Sequence, residues 1–194
     1  MKAIVGLLLA AGSAKRFGSD KLRHELPHGV AMAVQAARHL HSEIQTVFAV
    51  VKPDPDPDLS NQLRKEGCVV VVCDNAADGM GASLACAARA AGEAAGYLVA
   101  LADMPFIRRS SIAAVRDALA GGAPLAAPYW RGRRGHPVGI AGKFFEDLLA
   151  LHGDEGAKKL LAANEKLIVK VPLGDPGVIR DIDTPQDLLP PLAV

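Results

Sequence analysis

The sequence predicts a three-layer α/β domain on a mainly parallel sheet with a short antiparallel edge. Three observations predict it. Lys2 to Leu9 is an almost unbroken apolar run, as a strand buried on both faces requires. Further short runs rich in valine, leucine and alanine alternate with segments whose apolar residues recur at helical spacing. The residues able to do chemistry follow the strands, and ligands of such sheets bind beyond the strands' carboxyl ends. The 194 residues suffice for one sizeable domain over 1–194, and no shift in composition marks a second.

The elements follow in order. The opening run reads as the first strand, because it leads into a charged loop rather than a small-residue cleavage site. Val30 to Leu40 carries apolar residues at helical spacing. Thr46 to Val51 is the second strand. Lys52 to Asp58 alternates proline with aspartate, which suits a surface loop rather than a metal site. Asp58 is placed to cap a helix running to Glu66, with Gly67 as its stop. Valine-rich Cys68 to Cys73 is the third strand, and small residues from Gly81 to Ala91 form a helix ending at Gly92. Tyr97 to Leu101 is the fourth strand. Ser110 or Ser111 opens a helix that Gly121 and Gly122 close. Ala123 to Tyr129 is the fifth strand, and Gly135 to Ile140 reads as a short edge strand. Helices over Gly142–Leu151 and Glu155–Ala163 precede a late strand, Leu167–Val171. Thr184 caps a last short helix with Pro185 at its first position.

Composition narrows the function. With 22 basic and 21 acidic residues the formal net charge is +1, so no broad basic face invites nucleic acid. Apolar runs fall well short of the roughly 20 residues of a membrane span. Three cysteines without a C-x-x-C spacing fit a reducing compartment, and a cytoplasmic location is expected. Cys68 and Cys73 lie an odd number of positions apart on one strand. They should therefore face opposite sides and stay unpaired.

Five segments carry chemistry. Leu9-Ala10-Ala11-Gly12 ends the first strand in a loop holding Ser13, Lys15, Arg16 and Lys21, a setting for a polyphosphate. It is neither a Walker A loop nor G-x-G-x-x-G, because Gly12 and Gly18 have the wrong spacing. Asp74 to Ser83 places glycines before a small-residue helix, where Asn75 and Ser83 suit the edge of a base. Asp103 in Leu101-Ala102-Asp103-Met104-Pro105 is read as a holder of a divalent cation over the alternative of a helix cap. Mg²⁺ takes one or two carboxylates together with phosphate oxygens and water. Arg131, Arg133 and Arg134 form a basic loop with His136, suited to a small anion. Asp183, in Asp181-Ile182-Asp183-Thr184-Pro185, either completes a metal site or joins the cap.

Together these segments resemble the MobA-like nucleotidyltransferases, and within them the molybdenum-cofactor cytidylyltransferases. The resemblance covers nearly the whole chain. The family's opening signature resembles Leu9-Ala10-Ala11-Gly12 through Arg16, Phe17, Gly18 and Lys21. Its later motifs are similar to Gly79 through Ser83, Asp103-Met104-Pro105, Gly135-His136-Pro137, Gly153-Asp154-Glu155-Gly156-Ala157 and Asp181 through Pro185. Two departures stand out. Pro27-His28-Gly29-Val30-Ala31 occupies the place of a Gly-Lys-Pro segment, and Lys158 replaces a common arginine.

The resemblance implies a Rossmann-like nucleotidyltransferase fold, Mg²⁺, and transfer of CMP from CTP to the phosphate of molybdopterin with release of pyrophosphate. A molybdoenzyme is the implied downstream partner. In this reading Ala11, Gly12, Ser13, Arg16 and Lys21 hold the triphosphate, and Asp103 with Asp183 holds the metal. Leu9, Ala10, Asn75, Gly81 and Ser83 border the cytidine, while Arg133, Arg134 and His136 face the pterin phosphate. The alternatives are another nucleotide, another phosphorylated acceptor such as a sugar or alditol phosphate, and a non-catalytic cofactor-binding module.

Overall fold

The molecule, a computed structural model, is described over residues 2–12, 17, 21–53 and 57–188. Ser13, Lys15, Arg16, Gly18 and the middle of the Pro-Asp loop lie outside the described residues. The expected alternation is present. It runs β1 (Ile4–Ala10), α1 (Met32–His41), β2 (Val47–Val51), α2 (Asp58–Lys65), β3 (Val69–Val72), α3 (Met80–Ala91), β4 (Gly96–Leu101), α4 (Arg109–Ala120) and β5 (Leu125–Trp130). A hairpin of β5 with β6 (Arg133–Arg134) leads to β7 (Val138–Ala141), α5 (Phe145–Leu149), α6 (Lys158–Ala163) and β8 (Ile168–Pro172).

Eight strands share one sheet in the order β3-β2-β1-β4-β7-β5-β6, with β8 also paired to β5. β1, β2, β3 and β4 run parallel, as do β5 and β8. The antiparallel edge is the two-residue β6. The segment expected at that edge instead supplies β7 to the sheet interior, between β4 and β5 and antiparallel to both. Its Val138, Gly139 and Ile140 are all buried, the unbroken apolar signature of a central strand.

Strand alternation divides the core in two. Leu8 and Ala10 pack with α1, α2 and α4, whereas Leu7, Leu9 and Ala11 pack with α3, α5 and α6. Cys68 joins the first core and Cys73 the second, on opposite faces of the sheet as their spacing requires. Burial pushes both thiols up to about 11, so they remain protonated and unreactive at neutral pH.

Three helix starts differ from expectation. Asp58 is the first residue of α2, whose cap position falls on Pro57, and its carboxylate accepts from Gln62 Nε2 at 2.8 Å. Neither Ser110 nor Ser111 caps α4, where Arg108 holds the cap position. Thr184 accepts the Asp187 N–H of the last turn, Pro185–Leu188, on its backbone carbonyl at 3.0 Å. Its hydroxyl instead donates to Asp187 Oδ2 at 2.8 Å, and the same oxygen takes the backbone N–H groups of Asp183 and Thr184. Asp187 thus performs the capping.

A distant carboxylate supports α4. Asp175, only 3% exposed, accepts from the backbone N–H of Arg108 at 2.9 Å and from Ser111 Oγ at 2.7 Å through Oδ2. Its Oδ1 accepts from the N–H of Gly177 at 2.9 Å. Asp175 therefore ties the segment leading to Asp183 onto the start of α4. Asp175→Ala would strand a buried hydroxyl and two N–H groups, and should lower unfolding free energy by about 2–4 kcal/mol. Urea unfolding at pH 7 measures this as an earlier midpoint at unchanged slope.

Candidate active site

Two neighbouring parallel strands set the floor of the site. β1 and β4 pair in register with Leu9 opposite Leu101, so their carboxyl-end loops emerge side by side. Here the strand order changes direction: β1 leads to β2 on one side, while β4 lies on the other. A cleft of about 570 Å³ opens at this switch point, the expected ligand crevice of such a sheet. Leu9, Ala11, Gly12, Lys21, Ser83, Asp103 and Asp183 line it.

At the floor, Lys21 Nζ donates to Asp103 Oδ2 at 2.9 Å and to Asp183 Oδ1 at 3.1 Å. The Lys21 side chain is 11% exposed, that of Asp103 26% and that of Asp183 44%. Burial pulls the Lys21 ammonium toward deprotonation, but the two carboxylates more than offset this and raise its pKa overall. The ammonium is therefore charged at neutral pH.

Backbone bonds hold the two acids together. The N–H of Ile182 donates to the Asp103 carbonyl at 3.0 Å, and Gly177 fits against the Phe106 carbonyl with no space for a Cβ. Asp103 Oδ1 is buried with no hydrogen-bond partner among the described residues. No group of three or more histidine, cysteine, aspartate or glutamate side chains suited to a metal occurs among the described residues. Two carboxylates, one with a buried oxygen that has no partner among the described residues, are a donor set that could hold a divalent cation if phosphate and water supplied its other ligands.

The start of α3 forms the wall. Gly79, at φ +116°, and Met80 line the cleft with Ser83, whose hydroxyl donates to the Gly79 carbonyl at 3.4 Å. Gly81 does not reach the cleft. Its N–H donates to the Gly153 carbonyl at 2.7 Å, and a Cβ there would lie 2.5 Å from the His152 carbonyl oxygen. Its need for glycine is close packing against the turn at 152–156 rather than room for a base. Asn75 is exposed beside the site, its Oδ1 accepting from Cys73 Sγ at 3.2 Å. The Ala10 side chain lies on the far face of the sheet, in the core with Leu8. Neither residue lines the cleft.

A second cavity of about 390 Å³ adjoins the first and shares Leu9, Met80, Leu101 and Asp154 with it. Arg134, His136 and Lys158 line it, together with Leu84, Val99, Val138 and Leu161. Arg133 alternates with Arg134 on β6, is exposed, and does not line this cavity. Lys52, Met80 and Asp154, none of them singled out by sequence pattern as a site residue, also line the cleft. Lys52 directly follows β2, and that position on a strand's carboxyl side was the available signal.

Burial pushes the His136 imidazole below its ordinary range, and its Nδ1 is buried without a partner among the described residues. The unfolded chain therefore binds a proton that the folded state resists. His136 costs nothing above its unfolded pKa of about 6.5, and stability falls as the pH drops below that value. His39 is shifted in the same direction by its own burial. The Tm should thus fall between pH 7 and pH 5, and His136→Gln should reduce, without abolishing, that fall in a thermal scan.

A family model described as the MobA-like NTP transferase domain matches residues 6–167. The purine catabolism protein PucB of Bacillus subtilis (strain 168) is 28% identical over 196 residues, spanning 95% of this chain and 93% of that protein. A nucleotidyl transferase from Methanothermobacter superposes with a TM-score of 0.81 at 20% identity, covering 95% of this chain and 94% of its own. Rv0371c from Mycobacterium tuberculosis H37Rv, in complex with manganese, superposes at 0.74 with 21% identity, covering 95% of each chain. The two structural likenesses show the shared α/β fold.

Proposed function

This chain belongs to the MobA-like NTP transferase family, and from that premise we propose that it transfers a nucleotidyl group from a nucleoside triphosphate to a phosphorylated acceptor. The observation that carries this reading is the meeting of Lys21, Asp103 and Asp183 on the floor of the cleft. It joins a phosphate-type cation to two carboxylates where two strands give out. A non-catalytic module has one support, the absence of the Gly-Lys-Pro lysine at Pro27-His28-Gly29-Val30-Ala31. Pro27-His28-Gly29 makes a tight turn there, closed by the Leu26 N–H on the Val30 carbonyl at 2.8 Å. Lys21 nevertheless brings an ammonium to both acids, which favours transfer.

An oxygen of the acceptor phosphate attacks the α-phosphorus in line. The new P–O bond forms as the bond from the α-phosphorus to the bridging oxygen breaks, and pyrophosphate leaves with that electron pair. A phosphate monoester has a second pKa of about 6, so the nucleophile is already a dianion near neutral pH and needs no general base. Catalysis is then positioning and charge neutralisation. Backbone N–H groups over Ala11 to Ser13, with Lys21 and Arg16, hold the triphosphate. Asp103 and Asp183 would hold Mg²⁺, which when bound would neutralise charge developing on the phosphates. Leu9 and Ser83 border the nucleoside. Arg134, His136 and Lys158 face the acceptor from the adjoining cavity.

Within this reaction CTP is the nucleotide suggested by Leu9-Ala10-Ala11-Gly12, an opening that resembles the cytidylyl branch of the family, and molybdopterin is the acceptor suggested by the overall resemblance to the molybdenum-cofactor cytidylyltransferases. The family match and the likeness to a nucleotidyl transferase support the reaction class. A second reading keeps the same site with another nucleotide or a sugar or alditol phosphate.

Pyrophosphate release separates the two readings when each triphosphate is offered with molybdopterin or with a sugar phosphate. Release with CTP and molybdopterin alone is the expected result, while turnover only on a sugar phosphate replaces the acceptor. Asp103→Asn should reduce transfer by about a hundredfold or more with the fold intact by circular dichroism. Undiminished turnover would remove Asp103 from the reaction.

A further inference from the structure

The Lys21 ammonium sits between the two carboxylates assigned to the metal, within hydrogen-bond distance of each. It is the more deeply buried partner in both pairs. One amine nitrogen thus neutralises half of the charge that a divalent cation would meet. A cation arriving there faces a like charge at close range and a lysine with better partners than water. Two carboxylates are also a sparse set for Mg²⁺, and no third side chain among the described residues enlarges it. A triphosphate changes both conditions. It offers the ammonium a new anionic partner in the same cleft, and it supplies the oxygens that complete a metal's coordination.

We propose that Lys21 is an exchangeable internal cation, holding the place of the divalent metal between Asp103 and Asp183 until nucleotide phosphate draws it away. The metal site is then closed to free metal and opened by nucleotide. Lys21 acts as a positioning residue for metal as well as a phosphate ligand. Two functions follow from one side chain: it keeps the acids from repelling each other in the empty cleft, and it makes metal loading conditional on substrate. This inference rests on the reading of Asp103 and Asp183 as the metal's carboxylates.

The test uses Mn²⁺ as the probe, followed by the electron paramagnetic resonance signal of the free ion in titrations of the full chain. Wild type, Lys21→Met and Lys21→Arg are compared with and without CTP. Without nucleotide, wild type should bind Mn²⁺ weakly. Lys21→Met should bind it more tightly by about 5- to 150-fold, the range of ordinary coupling between sites. Lys21→Arg keeps a charge at the same place and should stay weak. CTP should tighten Mn²⁺ binding strongly in wild type and far less in Lys21→Met, since much of the cost is already removed. Lys21→Met/Asp103→Asn should lose the gain.

Wild-type binding with CTP, combined with a Lys21→Met that binds free Mn²⁺ no more tightly than wild type, overturns the exchange while leaving the metal reading intact. Failure of every protein to bind Mn²⁺ even with CTP overturns both. If Lys21→Met does not fold by circular dichroism, Lys21→Gln takes its place in the same comparison.

Discussion

Two carboxylates cannot stand side by side at the bottom of a cleft without a cation between them, and this chain provides one from its own first loop. The bridge from Lys21 to Asp103 and Asp183 draws together parts of the chain separated by 82 and 162 positions. Each participant comes from a different structural device. Lys21 begins a short turn after β1, Asp103 lies two residues beyond β4, and Asp183 rides on a segment that follows the 3-10 turn Pro176–Ile179. That segment is fixed by its flanks. Asp175 binds it to α4, the His136 N–H reaches the Val178 carbonyl at 2.7 Å, and the Ile182 N–H reaches the Asp103 carbonyl. The electrostatics of the floor therefore depend on a backbone scaffold laid across three loops.

Strand and helix order was legible in the sequence because each parallel strand of the first half is a compact apolar run and each helix has a clear face. β7 was misplaced for a physical reason. A run of four residues beginning after Gly-His-Pro has the length of an edge, and only the unbroken burial of Val138 to Ile140 signals a centre. The helix starts were misread because local polar residues are only one source of capping oxygen. Asp175 acts from another part of the chain, and Asp187 acts from inside the turn that follows.

The site was legible to the extent that it follows strands. Leu9, Ala11, Gly12, Lys21, Ser83, Asp103 and Asp183 all reach the cleft. Ala10 does not, and strand alternation gives the reason: its neighbours Leu9 and Ala11 face α3, so its own side chain must face α1. Gly81 was read as room for a ligand, whereas the space is taken by the backbone of the 152–156 turn. Such a contact between distant loops leaves no local mark beyond the glycine itself. Met80 and Asp154, beside that packing, line both cavities.

The tether that carries Asp183 works as a ruler. It is pinned at Asp175 and again at Ile182, so the number of residues between those points sets where the carboxylate falls. One extra residue in the extended stretch that follows Pro176–Ile179 adds about 3.3 Å, more than the length of the hydrogen bond it would have to preserve. Insertions and deletions should therefore be excluded from this short interval. The turns at the opposite rim of the sheet, such as Gly121-Gly122 after α4, sit far along the strands from the cleft and carry no such constraint. Length variation among natural versions of this chain should collect there.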